Sequence, residues 1–108
     1  MLASETITLR SRLGFIGLGY LGSRIARRLV AAGFPMIVYD RDRTKAAELA
    51  ALGVRVARDP ENLAREVDVI LSNVTDDSAV QAVYLGTGNV LRSAKPGTRI
   101  IELSTISP

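Results

Sequence analysis

The stretch from Leu13 to Gly33 constrains the fold more than any other part of this chain. Leu13-Gly14-Phe15-Ile16-Gly17-Leu18 is a short apolar run closed by glycines, the pattern of a buried strand. From Tyr20 to Ala32 the apolar Leu21, Ile25, Leu29 and Ala32 recur at three- and four-residue spacing, while Arg24, Arg27 and Arg28 take the other face. That is an amphipathic helix, and Gly33 is placed to end it.

The alternation continues. Met36-Ile37-Val38-Tyr39 reads as a second buried strand, Arg43 to Leu52 as a helix stopped by Gly53, and Val54-Arg55-Val56 as a short third strand. Pro60 to Glu66 reads as a short helix with Asp59 at its N-cap and Pro60 in its first turn. Val67 to Ser72 is the fourth strand, Asp76 to Leu85 a helix, Gly86 to Asn89 a loop, Pro96-Gly97 a turn and Thr98 to Leu103 the fifth strand. Strands alternating with helices through short connections imply βαβ units. With right-handed crossovers the expected architecture is α/β: a Rossmann-type, doubly wound parallel sheet in three αβα layers, with strand order 3-2-1-4-5. Residues 1–12 read as an N-terminal tail and 13–108 as one domain, the expectation for 108 residues.

Composition removes several functions. With no cysteine and no histidine the chain has no disulfide scaffold, thiolate metal site, cysteine nucleophile or histidine general base. No apolar run approaches the roughly 20 residues of a membrane span, and residues 1–10 lack a signal-peptide core, so the cytoplasm is the expected compartment. The net charge is +3, and all but Lys45 and Lys95 of the 14 basic residues are arginine. These are scattered rather than interleaved with stacking aromatics, which argues against a nucleic-acid groove.

Gly17-Leu18-Gly19-Tyr20-Leu21-Gly22 fits G-x-G-x-x-G between a strand and a helix, the context in which the motif carries weight. Gly17 permits a tight turn, Gly19 leaves the backbone open to a pyrophosphate, and Gly22 lets the helix pack closely. Free N–H groups from Leu18 to Leu21, with the helix dipole, would hold the anion. Asp40 ends strand two roughly 20 residues on, where an acid can accept from the ribose hydroxyls of NAD. Arg41 and Arg43 follow at once, and a guanidinium there can hold the 2′-phosphate of NADP, although Arg43 reads equally as a solvated helix start. The balance is towards NADP, with NAD or dual use open.

These residues resemble the cofactor half of the β-hydroxyacid dehydrogenases, the family of 3-hydroxyisobutyrate dehydrogenase, tartronate semialdehyde reductase and 6-phosphogluconate dehydrogenase. The likeness runs from Gly14 to Gly22 through Val38-Tyr39-Asp40-Arg41, Asp68 to Leu71 and Ala94 to Thr98, and ends in Leu103-Ser104-Thr105-Ile106-Ser107-Pro108. It implies that Asn73, Val74 and Thr75 lie beside the cofactor, and that Ser104 and Thr105 lie near the nicotinamide, with Ser104 a substrate contact. Thr75 also reads as a helix cap, and Ser104-Thr105 as a plain polar turn. The family's catalytic lysine and Gly-rich substrate motif fall beyond Pro108, and neither Lys45 nor Lys95 matches that lysine.

Two functions follow. One is the NAD(P)-binding domain of a 3-hydroxyacid dehydrogenase-like oxidoreductase, inactive alone and meeting a small hydroxyacid or semialdehyde only with a further helical domain. The other is a non-catalytic dinucleotide-binding sensor or interaction module. A homodimer through apolar surface near Leu103 and Ile106 is also expected.

Overall fold

The structure is a computed structural model that describes residues 11–73 and 93–103. The predicted helix 76–85 and loop 86–89 lie outside the described residues, as do Val74, Thr75, Ser104, Thr105 and Ile106. The elements in order are β1 (Leu13–Ile16), α1 (Tyr20–Ala31), β2 (Met36–Tyr39), α2 (Arg43–Ala50), β3 (Arg55–Val56), α3 (Pro60–Glu66), β4 (Val69–Ser72) and β5 (Arg99–Glu102). Every ladder is parallel and the order is β3-β2-β1-β4-β5, the doubly wound arrangement expected.

Alternation along β1 sorts the two faces. Leu13 and Phe15 join Ala26 of α1, Ala46 and Leu49 of α2 and Val38 of β2 in one core. Ile16 joins Ile37, Ile70 and Leu63, Ala64 and Val67 around α3 in the other. Helices therefore cover both faces of a buried parallel sheet. Gly14 is what lets α3 sit so close, because a Cβ there would overlap the Leu63 side chain.

Helix ends follow local chemistry. Gly33, at φ +99°, donates to the Val30 carbonyl (3.0 Å) and Phe34 to that of Leu29 (3.2 Å), a Schellman end for α1. Asp42 caps α2 through Thr44 N–H (2.9 Å), and Asp59 caps α3 through Asn62 N–H (2.7 Å). Helix α2 stops at Ala50, two residues before the predicted end, and Leu52 and Gly53 close it with shorter-range bonds.

Strand edges differ from the sequence reading for a tertiary reason. Val67 and Asp68, read as the start of strand four, form a joint instead. The Arg12 carbonyl accepts from Asp68 and Val69, and the Asp68 carboxylate accepts from Arg12 N–H (2.9 Å) and Lys95 Nζ (3.3 Å). Arg12, assigned to the tail from sequence, is bonded into the sheet at this point. Leu103, expected to be uncovered, is half-buried and packs on the first core.

Candidate functional site

The direction of winding reverses between β1 and β4, so their carboxyl ends open a crevice. The glycine turn occupies it. Gly17 sits at φ +95°, and a Cβ there would overlap the Asn73 carbonyl. At Gly22 a Cβ would overlap the carbonyl of Gly17. Both glycines are required by the protein's own packing, so the turn, the first coil of α1 and the exit of β4 lie against one another.

Gly19 is different. Its backbone is extended (φ −66°, ψ −167°), which other residues adopt freely, and a Cβ there would meet no atom within 4 Å. It caps α1 with no side chain over the helix end, and the first turn holds no acidic residue. The Tyr20 and Leu21 side chains at this end are 81% and 42% exposed. The first N–H groups of a helix have no partner within it, so this end is an open anion seat. A glycine that neither sterics nor torsion demands fits a turn that a pyrophosphate must approach.

The expectation that the Leu18 N–H faces an anion is not met. It donates to Asp40 Oδ2 at 2.6 Å, and the Leu18 side chain is buried in the core. The other Asp40 oxygen accepts from Asp42 N–H at 2.7 Å. Asp40 thus ties the glycine turn to the loop that enters α2.

Asn73 is buried and joins three strands' ends: its N–H donates to the Ile16 carbonyl (2.8 Å) and its Nδ2 to that of Leu103 (3.3 Å). Beyond β2 and β3, Asp40, Arg41, Arg43 and Arg58 border a cavity of about 250 Å³ lined also by Tyr39, Val56 and alanines of α2 and the β3 exit. Sequence reasoning placed Arg41 and Arg43 here and missed Arg58, whose two-residue strand carries almost no pattern. Lys95 pairs with Asp68 at the amino ends of the strands, and Lys45 is exposed on α2.

Residues 12–108 match the family described as the NAD binding domain of 6-phosphogluconate dehydrogenase. A probable 3-hydroxyisobutyrate dehydrogenase-like 3 protein of Arabidopsis thaliana mitochondria is 33% identical over 92% of this chain and 31% of its own length. The Mycobacterium tuberculosis 3-hydroxyisobutyrate dehydrogenase solved with L-serine superposes with a TM-score of 0.79 at 33% identity, covering 90% of this chain and 32% of that one. Psf3, solved in complex with NADP+ and 2-OPP, gives 0.82 at 37% identity over 89% of this chain and 34% of its own. The chain therefore spans about a third of the length of the relatives it matches.

Proposed function

Since the chain belongs to the family of 6-phosphogluconate dehydrogenase NAD-binding domains, we propose that its NAD(P) site lies along the crevice, with the pyrophosphate on the open end of α1 and the adenosine ribose beside Asp40 and Arg41. The observation that carries this is Gly19, a glycine with no packing or torsional reason, at a helix end with no cap and no acid. The residues present fit the dinucleotide: N–H groups and a helix dipole for the pyrophosphate, an acid and arginines at the ribose. When bound, the nicotinamide would take a hydride from the hydroxyl-bearing carbon of a small hydroxyacid, or in reverse give one to the carbonyl of the corresponding semialdehyde. This chain's part is to bind and orient. Leu18 and Asp40 hold the turn in shape, and Asn73 fixes the exits of β1, β4 and β5 around it. Val74, Thr75 and Thr105 complete the cofactor contacts, and Ser104 the substrate side.

NADP is the preferred cofactor in this reading, because Arg41 is exposed beside the ribose position and Psf3, the 37% identical neighbour, was solved with NADP+. The chain alone does not turn over hydroxyacids in this reading, since Lys95 is paired with Asp68 at the amino ends of the strands and Lys45 belongs to the exposed face of α2. That same observation favours a second reading, a dinucleotide-binding sensor with no chemistry of its own. A cytoplasmic setting is part of the proposal, although several relatives carry mitochondrial names. So is a homodimer, with Ile100 of β5 37% exposed; light scattering along a dilution series tests it, and a monomer at every concentration counts against it.

Fluorescence titration with NADPH and NADH tests the cofactor claim. NADPH should bind more tightly, and Arg41→Ala should cost NADPH about 10-fold more than NADH, the scale of one lost charge-assisted contact. Equal losses would leave Asp40 as the anchor of an NAD site. Oxidation of 3-hydroxyisobutyrate by this chain at enzyme-like rates would refute its inactivity.

A further inference from the structure

We propose that Arg58, from the loop after β3, is a specificity-determining residue that grips the 2′-phosphate of NADP from the side opposite Arg41. The inference rests on the dinucleotide reading above and extends it to an element that the motif does not reach.

The register places Arg58. Strands β2 and β3 pair Val38 with Val56 in parallel, and Ala57 N–H donates to the Val38 carbonyl at 2.8 Å. Two residues beyond that pair, Asp40 and Arg58 follow the ends of the two strands, and both line the same cavity. Arg41 and Arg43 complete the rim of the same cavity. Four alanines, Ala46, Ala47, Ala50 and Ala57, share the lining with Tyr39 and Val56, and their small side chains leave room. The acid on that rim, Asp40, accepts from the Leu18 N–H through Oδ2 and from the Asp42 N–H through Oδ1, which fixes its carboxylate against the backbone.

The chemistry selects a phosphomonoester. A group of that kind carries close to two negative charges and three acceptor oxygens, more than one guanidinium satisfies. Arg58 is held for such a task by its backbone, whose N–H reaches Asn62 Oδ1 at 3.4 Å, while its side chain stays three-quarters exposed. Its ion pair with Asp59 Oδ2 is loose at 3.7 Å, while Asp59 Oδ1 caps α3 through Asn62 N–H. An exposed pair of that length is worth little, so exchanging it for a phosphate costs little.

The test is a titration of the wild type, Arg58→Ala and Arg58→Lys with NADPH and NADH, and with 2′,5′-ADP and 5′-ADP as competitors. Arg58 is exposed, so the variants should fold like the wild type. Arg58→Ala should weaken NADPH and 2′,5′-ADP about 5- to 20-fold and leave NADH and 5′-ADP within about twofold, with Arg58→Lys recovering part of the loss. Unchanged NADPH binding, or equal losses for both dinucleotides, overturns the proposal. If Arg41→Ala still discriminates between the cofactors while Arg58→Ala does not, the NADP reading stands and Arg58 falls. If the wild type binds neither dinucleotide, both fall together.

Discussion

The glycine turn between β1 and α1 and the charged rim beyond β2 and β3 would, in the proposed site, serve one ligand by opposite means. At the turn the backbone decides everything. Gly17 and Gly22 are fixed because a single added carbon would strike the Asn73 or Gly17 carbonyl, and only Gly19 is left free of the protein's own demands. At the rim the backbone is ordinary and side-chain charge decides: Asp40 is tied to two N–H groups, and Arg41, Arg43 and Arg58 line one cavity with it. In the proposed site the turn addresses what every dinucleotide shares, the pyrophosphate, whereas the rim addresses what separates one dinucleotide from another. Geometry tolerates no substitution, and charge can be re-tuned one residue at a time.

That contrast can be broken most directly at Gly22. Gly22→Ala should destabilise the domain by about 3 kcal/mol or more, because the overlap is with rigid backbone. The denaturant midpoint reads it, and a stability near wild type would mean that the turn is not sterically locked. Gly19→Val separates the two roles within the turn. Stability should stay within about 1 kcal/mol, since there is open space and ordinary backbone, while affinity for both cofactors falls more than about 100-fold. Unchanged affinity would place the dinucleotide elsewhere.

Asp40→Asn sits where turn and rim meet. It should cost about 1–3 kcal/mol, because an amide cannot accept from Leu18 and Asp42 as the carboxylate does. NADH and NADPH should lose affinity together. A loss confined to NADH would mean that Asp40 acts on the ribose and not on the turn.

The smallest expected effect lies at the far end of the sheet. The Asp68 carboxyl is held below its ordinary pKa, first by the Arg12 backbone N–H and then by the Lys95 ammonium, against the opposing effect of burial. A depressed folded-state pKa contributes stability that is complete above the unfolded value of about 4 and is lost as pH falls through the folded one. Acid unfolding of Asp68→Asn should therefore be shallower than that of the wild type in this window, with cofactor affinity at neutral pH unchanged. A parallel pair of acid curves would show that the joint is idle.

Much of this molecule was legible in residue order. Helix α3 and strand β2 have the bounds that Asp59-Pro60 and Met36 to Tyr39 imply, and Gly33 and Gly53 take the positive φ of helix stops. Capping, glycine torsion and apolar spacing are local, and a chain reads them without knowing its neighbours. The strand order also followed, because right-handed crossovers leave few alternatives. What the sequence could not decide depends on contacts between residues far apart in the chain. Leu18 N–H reads as a free donor until β2 brings Asp40 within 2.6 Å. Asp68 reads as strand until Arg12 and Lys95 converge on it. Arg58 gains a place beside Asp40 only through the β2–β3 register, because pairing between strands is set by the packed sheet and leaves no trace in the spacing of either segment.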